Sequence, residues 1–347
     1  MHADAIIGWD LGGAHLKAAR LDSSRSVLDV VQIPCPLWQG MEHLHHAVTE
    51  ALARLGPAPE HAVTMTGEMV DLFPTRTEGV TRLVQAMEER LSGARLRYFA
   101  GEDGFLEGPG VVANPLRVAS ANWLASAALV TASTRAALFV DIGSTTIDIV
   151  PVRDGRVGAR GRDDAERLVS GELVYSGVVR TPVMALAGRV PFGGHWVPVI
   201  AEYFATTADI YRLTGELPEG ADQHPAADRG EKTVEASARR LARMIGRDAE
   251  SAPLAAWREL ARWLARAQVR HLEDGCDQLL SLGVLPEDAP IVGAGVGRFL
   301  AAKVAARRGV PFVPFASLLE APATLADRVS DCAPAVAVAW LAKGLEL

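Results

Sequence analysis

One segment occurs twice in this chain, and that repeat constrains the fold more than any other feature. Ile6-Ile7-Gly8-Trp9-Asp10-Leu11-Gly12-Gly13 is answered 131 residues later by Ala137-Leu138-Phe139-Val140-Asp141-Ile142-Gly143-Ser144. In each copy a short apolar run, the pattern of a buried strand, delivers an aspartate and then glycine. Glycine lets backbone N–H groups come close to an oxyanion. Asp10 and Asp141 are hard oxygen ligands of the kind magnesium takes. One such turn reads as a plain hairpin. Two at domain spacing read as paired turns for a phosphate or diphosphate, with a divalent cation between two lobes.

The length agrees with a duplicated plan. At roughly 150 residues per domain, 347 residues suggest two domains. Hydrophobic residues at 49% and charged residues at 22% exclude disorder and coiled coil. A net charge of −7 argues against a nucleic-acid coat protein, which needs a concentrated basic surface. Cys35, Cys276 and Cys332 are odd in number and far apart, so neither a disulfide framework nor a cysteine zinc site is expected. The N-terminus lacks a basic, then apolar, leader, and the apolar stretch at 119–129 is too short and too interrupted to span a membrane. A cytoplasmic enzyme with no membrane or nucleic-acid partner is the expectation. Oligomeric state is left open.

Strands are expected at 5–9, His15–Leu21 and 27–33 as an opening antiparallel meander, then at 62–66, 136–140, 147–152, 156–159 and 290–292. Apolar residues at helical spacing predict helices at Met41–Leu55, 79–91, 122–131, 201–213, 233–245 and 257–282, from 299 onward, and at 331–345. The polar stretch 215–232, with Pro218, Gly220, Pro225 and Gly230, reads as a functional loop.

A third glycine turn, Gly293-Ala294-Gly295-Val296-Gly297, follows a buried strand and precedes a helix, whose N-terminus favours an anion. It lies too late in the chain for a dinucleotide fingerprint; tight packing alone is the competing reading. In order, Asp10-Leu11-Gly12-Gly13, Asp141-Ile142-Gly143-Ser144-Thr145-Thr146 and this turn resemble the phosphate-1, phosphate-2 and adenosine motifs of the actin/hexokinase/Hsp70 ATPase superfamily, in its hydantoinase/oxoprolinase branch. Longer strings narrow the resemblance: Met65-Thr-Gly-Glu-Met-Val-Asp-Leu-Phe73, Arg76-Thr-Glu-Gly-Val80, Gly171-Glu-Leu-Val-Tyr-Ser-Gly-Val-Val-Arg-Thr-Pro182 and Phe204-Ala-Thr-Thr-Ala-Asp209. They are similar to a family linked to tetrahydromethanopterin one-carbon metabolism and methanofuran biosynthesis.

The resemblance implies an α/β fold of two ribonuclease-H-like lobes around a central cleft, with 1–134 plus 331–347 in the first lobe and 135–330 in the second. It also implies a transferase that joins an aminomethylfuran-methyl diphosphate to a tyramine- or tyrosine-type phenol, forming an ether and releasing diphosphate. On that reading Asp10 and Asp141 hold Mg2+ on the diphosphate. Gly12, Gly13, His15, Gly143, Ser144, Thr145, Gly293, Gly295 and Gly297 bind diphosphate or nucleotide. Lys17 and Arg180 neutralise leaving-group charge, and Glu68 or Glu172 takes the phenol proton. Ala14-His15 stands where kinase-type members carry a small hydroxyl residue, which weighs against ATP cleavage. ATP use stays open, as do an ATP-dependent kinase or hydrolase and a non-catalytic nucleotide-binding partner of one-carbon enzymes.

Several of these residues also have plain structural readings. Glu68 reads as a strand-end surface carboxylate, Arg180 as a structural ion pair, and Asp209 as a helix cap. Lys232 reads as a solvated lysine, and His43, His45 and His46 as a solvated helix face.

Overall fold

A computed structural model describes residues 4–344. The strands among the described residues are β1 Ile6–Leu11, β2 His15–Leu21, β3 Val27–Pro34, β4 Glu60–Met65, β5 Arg95–Phe99, β6 Phe105–Leu106, β7 Ala136–Ile142, β8 Ile147–Arg153, β9 Arg156–Val157, β10 Leu173–Val174, β11 Arg189–Phe192, β12 His195–Pro198, β13 Ile291–Ala294 and β14 Phe312–Pro314. The helices are α1 Met41–Leu55, α2 Arg76–Arg90, α3 Gly108–Ala113, α4 Asn122–Ser133, α5 Asp164–Ser170, α6 Thr207–Thr214, α7 Val234–Arg243, α8 Leu254–Leu280, α9 Arg298–Arg308, α10 Ala326–Asp331 and α11 Ala333–Gly344. The expected last residue of the final helix, Leu345, lies outside the described residues. Among the described residues no helix is long and apolar enough to cross a membrane.

The first sheet runs β3-β2-β1-β4-β5-β6 and the second β10-β8-β7-β13-β14, with β9 beside β8. Five consecutive positions therefore carry the same order twice, with β7 in the place of β1. In the first sheet β1–β3 form the expected antiparallel meander, and β4 and β5 add in parallel. Strand β1 is buried along its whole length, as a central strand covered on both faces must be. Ile7, Trp9 and Leu11 enter a core shared with α1 and α2. Gly8, pointing the other way, lies against Ala335 and Ala339 of α11. By the two-residue alternation of a strand, Asp10 shares the α11 face.

The chain forms two compact units, Met1–Phe139 with Val150–Ala159 and Val313–Leu347, and Val140–Ile149 with Arg160–Phe312. Residues 313–330 and 150–159 thus join the N-terminal unit, where the sequence reading assigns them to the second lobe. Helix α6 is shorter than its expected 201–213, because 201–205 bends before Thr206 caps the helix. The expected C-terminal helix is two, α10 and α11.

Inside the first unit, the buried Trp9 indole N–H donates to His61 Nδ1 at 3.1 Å, which requires an uncharged imidazole. Burial pulls the His61 pKa down to about 4. The unfolded chain then binds more protons than the native one between about pH 6.5 and 4, so stability falls as pH drops through that window. About 3 kcal/mol should be lost between pH 7 and pH 4 through this residue. An NMR titration should place the His61 imidazole near pH 4; a midpoint near that of a free histidine would contradict the account.

Candidate functional site

Within the first unit, the turn after β1 is closed by Gly12 N–H donating to the His15 carbonyl at 3.1 Å. Asp10 is buried, with Lys17 Nζ of the neighbouring β2 3.8 Å from its Oδ2. Lys17 therefore balances Asp10 directly. His15 opens β2 and is buried. After β4 the chain crosses this turn: Thr66 N–H donates to the Leu11 carbonyl at 3.0 Å. Gly67 follows, and a Cβ there would stand 2.9 Å from that same oxygen. Glu68, next in the short 3-10 turn Gly67–Met69, is buried at 1% exposure.

Glu68 is not a surface carboxylate. Its Oε1 accepts from Ser120 Oγ at 2.8 Å and from Arg76 Nη2 at 3.3 Å. Its Oε2 is buried with no hydrogen-bond partner among the described residues. Burial pushes the carboxyl above the ordinary glutamate range, while Ser120 and Arg76 pull the other way.

Within the second unit the same construction recurs. Gly143 N–H donates to the Thr146 carbonyl at 2.9 Å, 131 residues on from the Gly12–His15 bond. Gly297 N–H donates to the Ile142 carbonyl at 2.8 Å, matching Thr66 to Leu11. The segment 177–180 packs on this turn, with Arg180 N–H donating to the Ser144 carbonyl at 2.8 Å and Val179 N–H at 3.1 Å. Arg180 is half-buried beside Tyr203, and burial holds its guanidinium below its ordinary value. Asp141 is buried, and Gly295 lies against it.

Four expectations need correction. Glu172 is fully buried, and its carboxylate accepts from Arg160 N–H at 2.6 Å, Gly161 N–H at 2.8 Å and Ser170 Oγ at 2.9 Å. It ties a loop together and has little capacity left to receive a substrate proton. The Gly12 and Gly143 amides are spent on the bonds that close their own turns, so they do not cradle an oxyanion. Those of Gly13 and Ser144 make no hydrogen bond among the described residues. Gly293, Gly295 and Gly297 are closely packed: a Cβ on them would strike the Phe312 ring, the Ile142 carbonyl with Asp141 Oδ1, and the Ile142 and Val178 side chains respectively. Thr145 has Gly177 packed over its amide nitrogen.

Outside these turns, Asp209 caps α6 and accepts from Ser237 and Arg240, so its cap reading holds. Lys232 is not solvated alone; it binds the Asp222 carbonyl at 2.8 Å and the Asp222 carboxylate at 3.3 Å. The sequence reading missed Ser120 as a partner of Glu68, and Arg76 entered it only inside a family string. Among the described residues no group of three His, Cys, Asp or Glu side chains is gathered to hold a metal. Magnesium takes one or two carboxylates and leaves the rest to substrate oxygens and water, and each unit carries one buried aspartate of that chemistry, Asp10 in the first and Asp141 in the second.

The repeated strand order and the paired turns define an α/β fold of the actin/hexokinase/Hsp70 ATPase type. A nucleotide-free structure of acetone carboxylase matches with a TM-score of 0.58, covering 96% of this chain and 70% of that one at 10% identity, which is a likeness of fold. The family model of Hydantoinase/oxoprolinase matches residues 60–331, and the chain belongs to that family. It is 31% identical over 247 residues to the (4-{4-[2-(gamma-L-glutamylamino)ethyl]phenoxymethyl}furan-2-yl)methanamine synthase of Methanocaldococcus jannaschii, covering 71% of this chain and 72% of that protein. A protein of the same name from Methanococcus vannielii is 42% identical over 82 residues, 24% of this chain and 36% of its own length. The relatives' names are those of an enzyme.

Gly295 has φ +77° and no room for a Cβ. Gly295→Ala should therefore lower stability by roughly 2 kcal/mol or more. At Gly143 the nearest atom to an added Cβ is 3.6 Å away, so Gly143→Ala should stay within about 0.5 kcal/mol of the parent. Urea denaturation of both variants checks the contrast. Equal midpoints would return the C-terminal glycine turn to a ligand-binding role.

Proposed function

We propose that this chain is a transferase in the building of a methanofuran-type cofactor, condensing an aminomethylfuran-methyl diphosphate with a phenolic acceptor. The match to the M. jannaschii synthase over most of both chains supports a phenoxymethyl-furan ether as the product, the linkage that protein's name contains; the diphosphate leaving group rests on the family resemblance. In the step, the phenol oxygen attacks the furan methylene carbon, the bond from that carbon to the diphosphate oxygen breaks, and diphosphate leaves with the electron pair. The phenol proton passes to Glu68 Oε2, which is buried and free to accept it. Arg180, half-buried and desolvated, supplies positive charge for the leaving group. The Gly13 and Ser144 amides are the turn donors left for its oxygens. Asp10 and Asp141 are the carboxylates that would hold Mg2+, which when bound stabilises the charge of the departing diphosphate. Lys17 pairs with Asp10 and orients it.

The competing reading is ATP-dependent chemistry, favoured by the likeness to acetone carboxylase, whose structure is described in terms of ATP-dependent carboxylation. A product assay separates the two. Purified protein given the furan diphosphate and a phenolic acceptor should release diphosphate and form the ether. With ATP alone it should turn over far below the roughly 1–100 per second typical of kinases. Steady ATP hydrolysis without ether formation would favour the competitor.

In the same assay Glu68→Gln should cut kcat by about 10²- to 10⁴-fold, the range of a lost general base. Asp10→Asn and Asp141→Asn should each cost about a hundred- to thousand-fold, partly restored by raised magnesium. Near-normal turnover of both aspartate variants at limiting magnesium would remove them from the site.

A further inference from the structure

Ser120 is a non-glycine residue in the left-handed region, at φ +48°, and it is buried at 5% exposure. A serine held there is strained, and the surrounding structure must hold it in place. Its hydroxyl links two groups: Oγ accepts from Arg76 Nη2 at 2.8 Å and donates to Glu68 Oε1 at 2.8 Å. Arg76 also reaches Glu68 Oε1 itself at 3.3 Å. Two donors from distant parts of the chain thus converge on one carboxylate oxygen, and the other oxygen stays bare.

The remaining neighbours of Glu68 are built to hold its backbone still. Helix α2 carries Gly79 in its interior, where glycine is less favourable than alanine. A Cβ at Gly79 would lie 2.6 Å from the Glu68 carbonyl oxygen and 2.9 Å from its Cβ. Helix α2 therefore presents Arg76 and a bare glycine surface, the β1 turn presents the Leu11 carbonyl and Gly12 to Gly67, and the segment before α4 presents Ser120. Arg76 is the charged group that acts on the carboxylate.

We propose that Ser120 and Arg76 are positioning residues that fix Glu68 by one oxygen, so that its free Oε2 faces the acceptor hydroxyl and takes its proton. The proton-accepting role rests on the transferase reading above; the holding of Glu68 does not. Both partners stabilise the ionised carboxylate, so removing either should raise the pH at which Glu68 loses its proton.

Two measurements on the full-length protein test this. The first is a carboxyl titration followed by infrared difference spectroscopy, with Glu68→Gln identifying the Glu68 signal. Ser120→Gly is the variant of choice, because glycine accepts the left-handed backbone while deleting the hydroxymethyl group that bonds Glu68 and Arg76. Its Glu68 midpoint should move to higher pH, as should that of Arg76→Gln, while Arg76→Lys should stay near the parent. A midpoint unmoved in both Ser120→Gly and Arg76→Gln overturns the proposal. The second is the pH profile of kcat/KM for ether formation. Its acid limb should follow the titration in each variant, a displacement along the pH axis that a merely damaged fold would not produce. An acid limb that ignores the titration shows that Glu68 is not the base and overturns its positioning role. If the midpoints shift but the parent forms no ether, the transferase reading fails, and Ser120 and Arg76 stand as the groups that hold Glu68.

Discussion

The carbonyl that ends each central strand is the point on which the site's geometry depends. Leu11 O accepts from Thr66 N–H, and Ile142 O accepts from Gly297 N–H. Each bond draws a crossover segment directly over the strand's end, close enough that glycine must stand beside it: Gly67 in the first unit, Gly295 in the second. The carboxylate one residue before each carbonyl, Asp10 or Asp141, is thereby enclosed next to backbone. An N–H to C=O bond is worth only about 1 kcal/mol net, but leaving such a buried carbonyl unpaired costs about 1–3 kcal/mol. The crossover is therefore held in register, and the side chains it carries are delivered to the same place each time.

That equivalence changes the meaning of the C-terminal glycine turn. By strand order it occupies in the second unit the position that Thr66-Gly67-Glu68 occupies in the first. One copy has spent the position on packing, with three glycines fitted against Phe312, Asp141, Ile142 and Val178. The other has placed a glutamate there. The duplicated fold thus offers the same structural slot twice, and the first copy carries a buried carboxylate in it.

The repeat itself was legible from eight residues, because an apolar run ending in aspartate and glycine fixes both a strand and its turn. Strands β1 to β4 and helix α1 emerged from alternation and helical spacing with little error. Strand β5 was not legible: Arg95 and Arg97 interrupt its apolar pattern, and Arg97 is buried through pairing with Glu60 and the Ala342 carbonyl, contacts between residues far apart in sequence. Glu68 could be singled out as following a strand and a glycine, but its partner Ser120 could not. The two are 52 residues apart, and a left-handed serine leaves no periodic signal. The amides of Gly12 and Gly143 misled for a related reason. Glycine in a turn advertises a close approach, and here the group that approaches is the turn's own carbonyl.

Glu68 and Glu172 show why burial alone does not make a carboxylate reactive. Both are inaccessible, and both stood as candidate bases in the sequence. Glu172 receives three hydrogen bonds, two from backbone amides that cannot move without unravelling their loop. Its carboxylate is committed to holding that loop. Glu68 receives both of its bonds on one oxygen, from side chains, and keeps the second oxygen unpaired in a buried setting. An unpaired buried oxygen costs stability, on the order of 1–3 kcal/mol for a neutral group and more for a charged one. A fold has no structural reason to keep that cost when a hydroxyl or amide could be placed against it. On the role proposed for Glu68, proton transfer is that reason: the bare oxygen that destabilises the resting chain is the atom with most to gain from a hydroxyl.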